Sequence, residues 1–230
     1  MSQPNIQVQY IDHMGSDLSV VNSARVSFDK HSAELNEADM KLIGYLADHG
    51  HWSPFAHTSI QFRIKAPIFV ARQLVKHQIG LSWNECSRRY VDSPPEFYNP
   101  SVWRGRPLNS KQGSDGEVKD QSTPQKVLEQ THLLAFKNYN ILIKQGVAPE
   151  QARMILPQSL MTEWYWSGSL YAFARVCQQR LDTHSQAETA IVAAWIDTYC
   201  SELFPVSWEA LTKNIGERHD IQIEPDNHAA

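Results

Sequence analysis

Cysteine is scarce in this 230-residue chain: Cys86, Cys177 and Cys200 are the only three, without C-x-x-C spacing. That number and arrangement predict neither a disulfide framework nor a cysteine zinc centre, and they fit a reduced, cytoplasmic protein. Long apolar runs are missing too. None reaches the length needed to cross a bilayer, and residues 1–8 are polar without an apolar h-region, so no secretory signal is expected. There is no basic excess: 21 Lys and Arg against 25 Asp and Glu give a net charge of −4. That balance argues against a protein that coats nucleic acid by charge alone, although local basic clusters could hold small phosphates. No glycine-rich dinucleotide fingerprint and no H-E-x-x-H motif occur.

What is present suits one compact unit with a substantial core, 42% hydrophobic and 20% charged, and residues 1–230 show no linker. Residues 7–11 read as a short strand. Ser16 and Asp17 offer a cap for a helix carrying Leu18, Val21 and Ala24. Ala38, Leu42, Tyr45, Leu46 and His49 define a second helix, closed by Gly50. Residues 59–65 alternate as a half-buried strand. Pro67 then opens a helix through about residue 77. Residues 88–97 look extended. Residues 99–124 are rich in Gly, Ser, Asn and Lys, which predicts a mobile, functional loop. Helices are expected over 125–145, from Pro149 to Pro157, over 170–181 and over 186–204, with a strand over 160–166. A polar tail covers 217–230. Few strands among many helices make α+β the economical fold class, a central mainly antiparallel sheet flanked by helices.

The densest polar stretch runs from Arg72 to Tyr90. On a continuing helix, Arg72 with Lys76 and Gln73 with His77 are i,i+4 pairs. Past Gly80, a loop would offer Ser82, Asn84, Glu85, Ser87 and Arg89 in close succession. Cations for a phosphate beside amides, hydroxyls and a carboxylate for a base suit a nucleotide. A solvated surface loop is the bland alternative. Phe69, Val70, Leu74, Val75, Leu81 and Trp83, interleaved through the stretch, favour a partly buried site.

These residues resemble the flavin-dependent thymidylate synthase family, whose pattern has an Arg-His-Arg triplet, a spacer and a serine, ending Asn-Glu-x-Ser-x-Arg-Tyr. Here the triplet is Lys76-His77-Gln78 and the ending is Asn84-Glu85-Cys86-Ser87-Arg88-Arg89-Tyr90, with a spacer one residue longer. Lysine keeps a cation without the planar fork; glutamine loses the charge. Further matching blocks follow in family order: Ala24-Arg25-Val26-Ser27-Phe28, residues 49–57, residues 65–73, Ala152-Arg153-Met154-Ile155-Leu156-Pro157, and residues 180–186.

The resemblance implies methylation of dUMP to dTMP, with methylenetetrahydrofolate as carbon donor and FAD, reduced by NADPH, as hydride source. It implies dUMP contacts at Gln73, Lys76, Glu85, Ser87, Arg88, Arg89, Arg153 and Arg180. Arg180 is the expected catalytic residue, promoting ionisation of the uracil, and Arg153 is expected to reach the nucleotide from a neighbouring subunit. FAD contacts are implied at His51, Ser53, Lys76, His77, Gln78, Glu85, Ser169, Tyr171, Arg175 and His184. At Ser169, Tyr171 and Arg175 the residue types differ from the family's. Arg180 and His184 would share a helical face if that helix continues. A homotetramer with shared active sites is implied, with no nucleic acid or membrane partner. Cys86 reads as a small, partly buried packing residue, since the family attacks the pyrimidine with no enzyme cysteine. Two other classes compete. A metal-dependent hydrolase would use His49, His51, His57, His77 or His184. An RNA-binding module would use Lys76, Arg88 and Arg89.

Overall fold

The computed structural model describes residues 6–91, 93–108 and 113–221. The order is β1 (Gln7–Met14), α1 (Asp17–Arg25), α2 (Glu37–Asp48), α3 (Ser53–Ala56), β2 (Ser59–Pro67), α4 (Ile68–Leu74) and β3 (Leu81–Glu85). A ribbon of β4 (Arg104–Gly105) and β5 (Asp115–Glu117) follows. The rest is α5 (Ser122–Lys144), α6 (Pro149–Ala152), β6 (Met161–Ser169), α7 (Leu170–Arg180), α8 (Ala187–Leu203) and α9 (Pro205–Thr212). The main sheet has the order β1-β2-β6-β3, and every described pairing in it is antiparallel. The fold is α+β, as the sequence pattern predicts.

Alternation along β2 and β6 explains the layering. Phe62 pairs with Trp166 and Ile64 with Trp164, all four fully or almost fully buried. These side chains meet α7, where the Phe173 ring stands edge-on to Phe62 at 5.1 Å and to Trp166 at 5.4 Å. The opposite face carries the polar set, with Arg63 donating to Glu163 at 2.6 Å and Gln61 to Ser167 at 2.8 Å. Period-two alternation places one set against helices and the other outward.

The helix ends are fixed locally. Asn36 Oδ1 accepts from the Ala38 and Asp39 amides, and Asp39 returns a bond to the Asn36 amide, a reciprocal cap for α2. Gly50 then turns the chain at φ 67°. Buried Asp17 reaches across to α9, accepting from the Val206 amide at 3.0 Å and the Ser207 amide at 2.8 Å. A carboxylate there satisfies N–H groups that the first turn of a helix cannot pair itself.

Several expectations need correction. β1 runs to Met14, beyond residue 11, through a bulge between Tyr10 and Asp12. α4 stops at Leu74, so Lys76 and His77 lie past it and the expected i,i+4 stripes do not form. The predicted polar loop begins as strand β3 at the sheet edge, where Leu81 and Trp83 face inward too briefly to reveal the alternation. Gly168 makes room for it: a Cβ there would lie 2.4 Å from the Leu81 side chain and 2.6 Å from the Gly80 carbonyl. The described residues of 88–97 form no strand; among them Phe97 alone bridges, to Leu160.

α5 starts before Pro124, because Asp120 accepts from the Ser122 and Thr123 amides and proline is tolerated in a first turn. Residues 99–124 carry the β4–β5 ribbon, and residues 109–112 of that expected loop lie outside the described part. After Pro149 one helical turn gives way to a 3₁₀ turn over Arg153–Ile155. β6 extends to Ser169. α9 went unread. The start of the polar tail docks, with the Thr183 amide donating to Glu217 and the His219 amide to Leu181; residues 222–230 lie outside the described part. Cys86 is exposed, not partly buried, because β3 is an edge strand and the chain leaves the sheet there.

Candidate active site

Arg180 ends α7, and its Nε donates to His77 Nε2 at 3.0 Å. The acceptor nitrogen must be unprotonated, which places the proton of a neutral His77 on Nδ1. Burial, with Arg180 and Arg175 nearby, pulls the His77 pKa down to about 4. Burial also lowers the Arg180 pKa, and among the described residues no carboxylate pairs with it. A half-buried guanidinium without a counter-ion is ready for an anionic or polarisable ligand.

Arg180 stands at the junction of two cavities. One, about 210 Å³, gathers Lys76, His77, Gln78, Leu81, Arg175 and Arg180, so the motif triplet meets α7 there. The other, about 480 Å³, joins Arg180 and His184 to Gln73, Arg104, Ser114 and Gln186. α7 ends at Arg180, so His184 shares no helical face with it; a loop brings it to the same cavity, its ring bonded to Asp182 at 2.8 Å. Gln73 turns toward α8, donating to Gln186 and accepting from Thr189 Oγ1 at 3.2 Å.

A third cavity, about 280 Å³, is shared by Glu85, Cys86, Arg88 and Arg153. Glu85 is held by Thr162 Oγ1 at 2.7 Å and by Trp83 Nε1 at 3.3 Å. Ser87 Oγ accepts from Arg89 Nε at 3.0 Å, and the Arg89 guanidinium lies 5.0 Å from the centre of the Tyr90 ring. Ser87 and Arg89 adjoin this cavity in sequence and do not line it.

A fourth, larger space, about 880 Å³, contains His51 and Ser53 with Arg25, Ser27, Phe28, Tyr45 and Trp52. Ser169 instead spends its hydroxyl capping α7, accepting from the Ala172 amide at 3.2 Å. Tyr171 packs near Trp52, ring centres 6.3 Å apart. Thus most of the anticipated residues line four cavities of one chain, two of which share Arg180, while Ser87, Arg89, Ser169 and Tyr171 line none of the four. Arg104, Gln186, Ser27, Tyr45 and Trp52 were missed, although Ser27, Trp52 and Gln186 lie inside the matching sequence blocks. No group of three or more His, Cys, Asp and Glu side chains suited to a metal gathers among the described residues, which therefore lend the hydrolase alternative no support. No helix of the described residues is long and apolar enough to cross a membrane.

Fold and site together define an α+β protein whose cation-lined cavities suit a small anionic ligand. The family described as thymidylate synthase complementing protein matches residues 9–206. A flavin-dependent thymidylate synthase of Thermosipho africanus is 39% identical over 209 residues, 90% of each chain. One from Thermus thermophilus is 37% identical over 210 residues, 91% of this chain and 77% of that one. The crystal structure of a UMP/dUMP methylase from Streptomyces cacaoi, bound with 5-Br dUMP, superposes with a TM-score of 0.84 at 32% identity, covering 92% of this chain and 96% of that one. The chain belongs to the flavin-dependent thymidylate synthase family, and its activity is thymidylate synthesis with a flavin cofactor.

Proposed function

We propose that this chain methylates dUMP at C5 with Arg180 as the catalytic cation. The observation that carries this reading is the Arg180–His77 bond, which fixes an unpaired guanidinium between two cavities. A preorganised cation stabilises negative charge on the pyrimidine and raises electron density at C5, which must attack the carbon carried by methylenetetrahydrofolate. Gln73 meets the ring, Lys76, Glu85, Ser87, Arg88, Arg89 and Arg153 serve the sugar and phosphate, and His184, in the same cavity as Arg180, contacts the flavin. FAD, reduced by NADPH, supplies the hydride that completes the methyl group.

The large cavity fits a flavin. Its aromatic walls, Phe28, Tyr45 and Trp52, suit a flat ring system, and Lys30 and His51 offer donors for phosphates. Arg25 is already committed to the fully buried Asp39. Ser53 completes that wall, while Lys76, His77, Gln78, Arg175 and Glu85, which line other cavities, would add further flavin contacts. Ser169 and Tyr171 act through backbone and packing. The test is anaerobic: reduced flavin on the enzyme should be oxidised when dUMP and methylenetetrahydrofolate are both supplied. Flavin that stays reduced overturns the reading.

The same chain works as a homotetramer with shared sites, in this reading, and as a single domain in the cytoplasm. Val127, Leu134 and Ile141 recur every seven residues along α5 with 57%, 59% and 46% of their surface exposed. Met154 and Ile155, also exposed, directly follow Arg153 beside that helix. An interface burying this apolar face would carry Arg153 to a partner's nucleotide. The isolated chain instead sets Arg153 beside its own Glu85 and Arg88, so the two arrangements make opposite forecasts. Mixing inactive Arg153→Ala and Ser87→Ala subunits should restore part of the activity if sites are shared. Mixing that restores nothing, or a monomeric mass, overturns sharing.

A further inference from the structure

A chain of hydrogen bonds runs from the nucleotide cavity into buried structure. Thr189 Oγ1 donates to Gln73 Oε1 at 3.2 Å, and Gln73 Nε2 donates to Gln186 Oε1. Gln186 Nε2 then donates to Glu188 Oε2 at 3.1 Å. Arg104 Nη2, from the ribbon, donates to Glu188 Oε1 at 2.6 Å, and Arg104 Nε donates to Ser114 Oγ at 2.9 Å. The Glu188 side chain is 6% exposed and that of Arg104 33%.

The direction of this chain is set at its buried end. A carboxylate only accepts, so Gln186 must present its N–H₂ to Glu188 and its carbonyl to Gln73. Gln73 must then present N–H₂ to Gln186 and its carbonyl to Thr189. Each amide has two ends, and one charged group orients both. Its pairing with Arg104 offsets the cost of burying that charge.

We propose that Glu188, held by Arg104, is a positioning residue for the reaction: it fixes which face of the Gln73 amide meets the pyrimidine. The inference rests on the reading of Gln73 as a nucleotide contact. A uracil edge alternates carbonyl acceptors with an N–H donor, so an inverted amide would set acceptor against acceptor.

Glu188→Gln is the sharp test, because it changes one oxygen to nitrogen. Arg104, as the charged donor, takes the remaining oxygen. The new N–H₂ then faces Gln186, which must flip and in turn flip Gln73, leaving Thr189 as acceptor. We expect the Kd for dUMP on the FAD-loaded enzyme, measured by calorimetry, to rise about tenfold, the scale of one misdirected hydrogen bond. FAD content should stay unchanged and kcat at saturating dUMP should change by less than about threefold, since Arg180 is untouched. Gln73→Ala should weaken dUMP similarly. In the Gln73→Ala background, adding Glu188→Gln should weaken dUMP no further, because the effect travels through Gln73.

Gln186→Leu, which cuts the link between Glu188 and Gln73, should behave the same way and decides the matter if Glu188→Gln fails to fold. Arg104→Lys should retain most of the affinity. Effects of Glu188→Gln or Gln186→Leu that add to Gln73→Ala, or are absent while Gln73→Ala weakens dUMP, overturn the relay alone. Unchanged dUMP affinity in Gln73→Ala overturns the nucleotide-contact reading beneath it.

Discussion

Arg180 and His77 are joined by one hydrogen bond of 3.0 Å between a helix end and the turn after α4, 103 residues away in sequence. The bond makes two groups of the same potential charge compatible, because only Arg180 is charged and the His77 nitrogen facing it is bare.

That relation has a pH signature. Free histidine titrates near 6.5, and His77 is pulled down to about 4 in the fold. Between those values the unfolded chain binds the extra proton and the native chain does not, so stability rises with pH across the window. The contribution is fully present above about 6.5 and is lost as pH falls toward about 4. Ring-nitrogen NMR should show His77 neutral, protonated on Nδ1, throughout this window. A midpoint near 6.5 would contradict the arrangement.

Arg180→Ala should lower turnover by about a hundred- to a thousandfold, the usual cost of one preorganised donor at developing negative charge. FAD retention should change far less, because the large aromatic cavity does not include Arg180. Comparing kcat at saturating dUMP with flavin content separates the two effects. An unchanged kcat removes Arg180 from the chemistry.

Cys86→Ala should keep substantial dTMP formation. The thiol is exposed and lines the cavity shared by Glu85, Arg88 and Arg153, where a nucleophile could in principle stand. A loss beyond about a thousandfold in a folded variant, a barrier rise of about 4 kcal/mol, would overturn a mechanism without an enzyme thiolate.

Asp17→Ala should destabilise the fold by about 2 kcal/mol, since it strips two amides of their acceptor inside the protein. Urea unfolding at neutral pH measures it. An unchanged midpoint would mean that water replaces the carboxylate at no cost.

Much of this fold could be read along the chain, and the reasons differ by element. β2 announced itself by strict alternation, and α2 by an apolar stripe ending at Gly50. β3 could not be read, because two inward residues make no pattern and its partner β6 lies some 80 positions onward. The site was legible at Arg180, His77 and Gln73 through their motif blocks. Glu188 and Arg104 were not, for their meaning comes from an ion pair across 84 residues. The end of α4 at Leu74 was equally hidden, since neither proline nor glycine marks it.

The indole of Trp83 lies 4.3 Å from that of Trp164, nearly parallel, and 5.5 Å from that of Trp166 at a steep angle. Chromophores this close share their excited states, so the three should give a coupled ultraviolet circular dichroism band that separated indoles lack. Trp83 belongs to the edge strand that leads into Glu85, Ser87 and Arg89, and the other two belong to the centre of the sheet. The band is therefore a built-in optical gauge of whether that strand is seated, readable without any label during refolding or ligand titration.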